Sequence, residues 1–326
     1  MTEPAAPERR SPWDQFLFEP QSPSPMALVR MAWGLTIVVW AITLLPDVDP
    51  FLTDGELRYD RARGAGSWNP LDWIDWSSGP LVVTMLLLLA GLATAVGYRT
   101  RLSSAVAALS MVALLRTNTT IFNSGDLVLR QIGVAVALAP SGLLLSLDAL
   151  RTRGSALASP NVWRAPWALR LLQLQIAVGY ALSAWAKIRG ASWHEGTALA
   201  QALRIEDLQR VTAPEWLYDQ ATALNLFTWA TLAFEASFLF AVWSRRLRPW
   251  VLGVGVLFHL GIDVFFDVGF FSWAMWIGYL AFLPPEVADR WVAKIAQLLR
   301  MDRPGGVPAP AEDGSAPVPL AVEPAE

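Results

Sequence analysis

The chain of 326 residues contains no cysteine. That absence removes disulfides, thiolate catalysis, iron–sulfur clusters and CxxC redox exchange together, so any redox chemistry would need a borrowed cofactor. Histidine is almost as scarce, with His194 and His259 the only two. Two imidazoles without a thiolate do not complete a zinc or di-iron centre, and no metal site is expected. Lysine also occurs only twice, as Lys187 and Lys294. Charged residues are 16% of the chain, and the formal net charge is only -3. Soluble domains carry about 25% charged residues. The cations are scattered among loops rather than clustered on one segment, which excludes nucleic-acid binding and gives no reason to expect an acidic partner.

Hydrophobic residues make up 54% of the chain. They arrive in eight blocks bordered by Arg, Trp or Pro, at about 27–46, 80–97, 102–118, 126–147 (interrupted by Pro140), 166–187, 221–243, 250–266 and 269–283. Several are short for a ~30 Å hydrocarbon core at 1.5 Å per residue, so either their ends are frayed or they are buried among longer neighbours. The pattern predicts an all-α, polytopic integral membrane helical bundle of about eight transmembrane helices, with the lipid bilayer as its first partner. It forms one domain over residues 26–300. Residues 1–25, "MTEPAAPERRSPWDQFLFEPQSPSP", lack the apolar core of a cleavable signal peptide, so the first helix is expected to act as an uncleaved anchor. Residues 301–326, rich in Pro, Ala and acids without an apolar period, are expected to be a disordered tail.

Arginine placement supports an even number of crossings. With the amino terminus inside, the cytoplasmic segments hold Arg9 and Arg10, then Arg99 and Arg101, then Arg151, Arg153 and Arg164, then Arg245, Arg246 and Arg248, and finally Arg290, Lys294 and Arg300. The first external loop is acidic, and its Trp68, Trp73 and Trp76 suit an interfacial belt. Both termini of this multi-pass protein of the cell membrane are therefore expected in the cytoplasm, and Lys187 at the outer side. The two halves show no sequence repeat, which weakens a reading as a transporter built on internal symmetry.

Ionisable residues inside the blocks are informative, since a charge at mid-membrane costs at least ~2.5 kcal/mol on insertion scales. In the fifth block Gln173, Tyr180 and Lys187 stand seven apart and share a face, with Ser183 close to it. A polar helix–helix seam ending in a snorkelling lysine would explain them without any ligand. In "FNSGDLVLRQ", Asn123, Asp126 and Arg130 also share a face, and Asp126 is expected to pair with Arg130 at i, i+4. His259 and Asp263 have the same spacing, and a His–Asp hydrogen bond is expected between them. Glu235 lies near the centre of "LFTWATLAFEASFLFAVW" with no cation within one turn. Its partner must come from another helix, and Lys187, Arg130 and His259 are the candidates; otherwise it is protonated.

The order "NSGDLVLRQ", "LAPSG", "QLQIAVGYALSAWAKIRGASWHEGTAL", a mid-membrane acid, then "FHLGIDVFFDVGFFSW" resembles the horizontally transferred transmembrane (HTTM) domain family. That domain forms the membrane part of vitamin K-dependent gamma-glutamyl carboxylase. The resemblance takes in "PSPMALVRMAWG" near the amino terminus, covers roughly residues 12 to 295, and is most specific over 180–196. It implies that Lys187 matches the lysine that deprotonates vitamin K hydroquinone in the carboxylase. Desolvation favours a neutral amine, and an apolar cavity protects a reactive base from water. Two departures stand out. The carboxylase's Asn-His at the mouth of the fourth helix reads Asn123-Ser124 here, and its large propeptide-recognising domain has no counterpart, so glutamate carboxylation is not expected.

The leading expectation is a membrane enzyme or redox-linked protein that takes an isoprenoid quinol, vitamin K hydroquinone-like, in a cavity among the fourth to seventh helices. Lys187 and Glu235 would be catalytic, Lys187 as the base and Glu235 setting its pKa, with Tyr180 and Gln173 positioning the ligand. Gln173, Tyr180, Asn123, Arg130, His259 and Asp263 form the candidate ligand-binding set. The alternatives are a carrier or binding protein for a small anion or lipid, with Lys187 and Arg130 as its cations, and a polar-seamed scaffold for another membrane protein.

Overall fold

The computed structural model describes residues 11–53, 69, 78–118 and 120–301. Within them the chain is helical, without a β-strand beyond two isolated bridges, Gln21 with Arg164 and Gln209 with Phe266. In chain order the helices are α1 (Pro12–Phe18), α2 (Ser24–Leu44), α3 (Val48–Leu52), α4 (Gly79–Val96), α5 (Thr100–Thr117), α6 (Ser124–Leu138), α7 (Leu147–Arg153) and α8 (Trp167–Ile188). They continue with α9 (Ala191–His194), α10 (Ala198–Ala202), α11 (Glu215–Tyr218), α12 (Ala221–Ala241), α13 (Arg248–Phe265), α14 (Phe271–Leu280) and α15 (Pro285–Leu298). The acidic loop with Trp68, Trp73 and Trp76, Arg9 and Arg10, and the tail from residue 302 lie outside the described residues.

The eight apolar blocks appear as α2, α4, α5, α6, α8, α12, α13 and α14. Four helices are long and apolar enough to cross a membrane: Ser24–Leu52, in which α2 runs on into α3, and α4, α12 and α13. The fourth block is shorter than its apolar run suggests. Pro140 forces Ala139 out of the helix, to φ -78 and ψ 155, so α6 ends at Leu138 and the chain restarts as α7 outside the bundle. At 10 residues, α14 reaches only about 15 Å and relies on its neighbours for burial.

Lipid tails are as apolar as leucine, so helices in a bilayer are held by close contact and by polar groups with no other partner. Gly34 is a case of close contact. A Cβ there would lie 2.6 Å from the Ala95 backbone nitrogen, so only glycine lets α2 and α4 touch backbone to backbone. Around this contact Trp33, Ile37 and Trp40 of α2 form one buried cluster with Met111 and Leu114 of α5 and with Leu129 and Ile132 of α6. The two indoles are tied as well as packed, Trp33 Nε1 donating to the Leu129 carbonyl at 2.8 Å and Trp40 Nε1 to Asp126 Oδ1 at 2.6 Å. The second half is looser. α8 lies against α6 and α12, α14 fills the space beside them, and only Gly255 and His259 of α13 are buried.

The bundle has two chemically distinct ends. At one, α1 crosses the start of α8, the α12–α13 turn carries Arg245, Arg246 and Arg248, and α15 buries Ala288, Val292 and Ala296 against α2. Asp289 fastens that contact by accepting from Ser22 Oγ at 2.5 Å and from Ser24 Oγ. At the other end α6 and α14 begin side by side, with Gly125 against the Phe271 backbone and Asn123 Nδ2 donating to the Val268 carbonyl at 3.2 Å. Lys187 closes α8 at this second end.

Candidate functional site

The seven-residue spacing on α8 puts Tyr180 and Lys187 on its inner face, two turns apart. Lys187 Nζ donates to both carboxylate oxygens of Glu235 at 2.8 Å and to Ser183 Oγ, one turn back, at 2.6 Å. The Trp193 ring lies 5.2 Å from the same nitrogen, a cation–π contact that closes its outer side. The Glu235 side chain is 6% exposed and that of Lys187 24%, so the acid is enclosed and the ammonium sits at the edge of the enclosure. Glu235 thus finds its cation across the α8–α12 contact, as a mid-membrane carboxylate must.

Two turns deeper along α8 is a second polar group. The Tyr180 hydroxyl meets His259 Nε2 of α13 at 2.7 Å and also the Tyr279 hydroxyl of α14. Gly255 makes room for this, since a Cβ there would lie 2.5 Å from the Tyr279 oxygen. The Tyr180 ring stacks on Phe238 at 4.2 Å and meets Phe234 edge-on at 5.6 Å, so it is held in place by packing as well as by hydrogen bonds. Ser272 Oγ donates to the His259 carbonyl at 2.9 Å. His259 Nδ1 is buried without a partner, an open position in an otherwise satisfied group.

Both groups face one cavity of about 380 Å³, a volume within the range of small-molecule sites. Its polar wall holds Gln131, Gln175, Ser183, Lys187 and Glu235, and Val128, Ile176, Phe271 and Met275 supply the apolar wall. Gln175 Nε2 donates to Gln131 Oε1, bridging α8 to α6. Beside it a larger cavity of about 650 Å³ opens between α12 and α13, lined by apolar side chains such as Leu224, Phe227, Val254 and Ile262. The two are divided by Phe234 and Phe258, whose rings lie 5.4 Å apart. The other side of that divide touches Tyr180 and His259.

An HTTM domain model matches residues 18–287. The chain belongs to the HTTM family. No curated protein and no solved structure matches it. Within this HTTM domain, Ser124 lines the polar chamber.

Several expected arrangements are corrected. Asp126 does not pair with Arg130. It sits at the third position of α6, where its side chain turns back to accept from the Asn123 backbone at 2.9 Å while Asn123 Oδ1 accepts from Gly125, a capping box, and Trp40 takes its other oxygen. Arg130 forms no ion pair among the described residues and does not line the chamber; Asn123 does not line it either. Nor does His259 bond to Asp263. His259 turns inward to Tyr180, while Asp263, one turn nearer the helix end, pairs with Arg210 at 3.3 Å. Gln173 shares the α8 face but is about 21 Å from Lys187 along the axis. There it accepts from Arg170 at 3.0 Å and donates to the Ala281 carbonyl at 2.6 Å, tying the opposite end of the bundle.

The sequence reading overlooked Gln131, Gln175 and Tyr279. A signal existed for the two glutamines, because unpaired amides inside apolar blocks are as costly as they are uncommon. Tyr279 had none, being one aromatic among many in "WAMWIGYLAF".

Proposed function

We propose that this HTTM protein binds a quinol-like amphiphile, with the hydroxylated ring in the polar chamber and the apolar tail in the cleft between α12 and α13. The observation that carries the reading is the Lys187–Glu235 pair, presented on the wall of a cavity of about 380 Å³ instead of inside packed core. A polar chamber beside an apolar cleft, with Phe234 of the cleft against Tyr180 of the chamber and Phe258 against His259, fits a ligand with one wet end and one dry end.

A hydroquinone would supply an ionisable hydroxyl and a redox-active ring. Lys187 and Glu235 then act as one unit. Lys187 Nζ, the base of this reading, and the Glu235 oxygens 2.8 Å from it together can take up a hydroxyl proton and balance the charge left on the ring oxygen. Gln131 and Gln175 offer amides to orient the ring, and Tyr180 is held in place by His259 and Tyr279. The pairing also disfavours the anion-carrier reading. Glu235 neutralises Lys187, Arg130 lies elsewhere, and no uncompensated cation remains in the chamber.

The same reading has eight crossings with both termini cytoplasmic, supported by the gathering of α1, α15 and the arginine-bearing turns at one end. A topology reporter fused after Arg300 and active only outside would refute that part. The chemical part is tested by titrating a soluble naphthohydroquinone anaerobically into the purified protein. Saturable binding with the ultraviolet shift of an ionised hydroxyl is expected, and the shift should vanish in Lys187→Met and in Glu235→Gln. Absence of saturable binding, or an identical shift in both variants, would refute the reading.

A further inference from the structure

At the end of the bundle opposite the chamber, four arginines converge where α8, α12 and α13 meet. Arg170 and Arg248 are close enough to repel each other, as are Arg248 and Arg245. Arg246 is the next residue in the same exposed turn. None of the four forms an ion pair among the described residues; Glu19 attracts Arg170 from beyond ion-pair distance. Two of the four are fixed rigidly. Arg170 donates to the Phe16 carbonyl, Gln21 and Gln173 with its guanidinium 4.8 Å from the centre of the Phe16 ring, and Arg248 donates to the Val242 and Trp243 carbonyls at 2.9 and 3.3 Å. Phe16 in turn lies edge-on to Trp243 at 5.6 Å, so α1 is clamped against the cluster.

Like charges held together with only the more distant Glu19 to offset them store repulsion that an anion relieves. The surroundings say which anion. Trp13 of α1 is 67% exposed and Trp250 of α13 75%, both beside the cluster and both indoles of the kind that sits at headgroup depth. Lipid is the solvent of the adjoining α12 and α13 surfaces, whose apolar side chains are largely exposed. We propose that this cluster holds the phosphate of an anionic phospholipid, with α1 lying over its headgroup. Guanidinium groups suit phosphate through paired N–H donors, and basic pockets between helices at the cytoplasmic face are a recurrent setting for such lipids. Arg245 and Arg246, which make no hydrogen bond or ion pair among the described residues, are the pair placed to engage it; Arg170 and Arg248 set the local charge.

The test uses the full chain in nanodiscs of phosphatidylcholine alone or mixed with phosphatidylglycerol, followed by native mass spectrometry and thermal melting. Retained phosphatidylglycerol and a higher melting temperature in the mixed discs are expected. Arg245→Gln/Arg246→Gln should cut retention several-fold, Arg245→Lys/Arg246→Lys should largely restore it, and the distant pair Arg101→Gln/Arg151→Gln should leave it unchanged. The proposal is overturned by equal retention of both lipids, by an unaffected Arg245→Gln/Arg246→Gln protein, or by equal loss from the distant pair. It is equally overturned if inorganic phosphate alone produces the stabilisation in detergent, since the cluster would then be a free-anion site.

Discussion

Removing the lysine of the Lys187–Glu235 pair leaves a carboxylate whose hydrogen bonds both came from Nζ, and whose side chain is 6% exposed. Breaking a buried pair from one side costs about 3–5 kcal/mol. The chamber lets water approach and Lys187 itself is 24% exposed, so the lower end, about 3 kcal/mol, applies to Lys187→Ala. At about 2–4 °C per kcal/mol for mid-sized chains, that is a fall in Tm of about 6–12 °C. In Glu235→Gln the lysine keeps Ser183 and Trp193 and can reach water, so the loss should be smaller, about 1–2 kcal/mol. The double variant Lys187→Ala/Glu235→Gln buries no unpaired charge and should be more stable than Lys187→Ala, a coupling of at least about 1 kcal/mol. Ligand binding should fail in all three. Thermal melting in detergent with a binding titration decides it. Small, strictly additive effects would mean that Lys187 merely snorkels, and the site would fall with the coupling.

Three other outcomes follow from the geometry. Asp148 of α7 caps α5 from outside the bundle; partial burial alone would raise its pKa, but hydrogen bonds from Thr100 N, Thr100 Oγ1 and Arg99 N, with the Arg30 charge, outweigh it and hold the pKa below the usual carboxylate value. A depressed carboxylate contributes stability above its unfolded pKa and loses it as the pH falls through the folded one, so Asp148→Asn should cost about 1 kcal/mol at neutral pH and nothing in strong acid; pH-dependent melting that shows the same gap throughout contradicts this. Gly97→Ala should cost about 2–4 kcal/mol, because φ is +70 and the new Cβ would fall 2.2 Å from Ser146 Cβ and 2.4 Å from Arg30 Nη1; an unchanged Tm would show that this turn is slack. Tyr180→Phe keeps the stacking on Phe238 but strands His259 Nε2, for about 1–3 kcal/mol and a clear loss of ligand affinity; wild-type affinity in this variant would place the Tyr180 group outside the site.

The all-helical fold was legible because hydrophobic block length is set by the bilayer itself; a helix stands at each block, and four helices among the described residues are long and apolar enough to cross a membrane. Where the run misled, at α6, the stop was a backbone matter at Pro140 that apolar counting cannot register. The site was legible to the extent that isolation marks a residue. Glu235, without a cation on its own helix, had to find one elsewhere, and the helices that could supply it were few. Spacing along one helix was a poorer guide. Asp126 and Arg130, and His259 and Asp263, had the i, i+4 geometry for pairing, yet partners from other segments won in both cases: Trp40 and the α6 cap for Asp126, Tyr180 and Arg210 for the second pair. An i, i+4 pair contributes only ~0.2–0.5 kcal/mol, less than satisfying one buried polar group, so cross-helix partners decide the outcome. Those partners are set by topology and do not show in a local window. Gln173 failed for a related reason, since sharing a face says nothing about depth along the axis.

Placing the chamber in the less tightly packed half has a physical consequence. α2, α4, α5 and α6 interlock through glycine contacts and tied indoles, whereas α13 buries little more than Gly255 and His259. His259 is thus both the residue that anchors α13 to the bundle and a wall of the chamber, and its link to Tyr180 is the polar tie between α13 and α8. A ligand that fills the chamber and the neighbouring cleft would add contacts for α12 and α13 that the protein does not provide for itself. Ligand binding and the docking of these two helices are then a single equilibrium, and a ligand that prefers the docked form stabilises it by RT ln(1 + [L]/Kd). The low-stability side of a fold is where such coupling is cheapest to build, since a few kcal/mol can move one helix pair while the interlocked half keeps its shape.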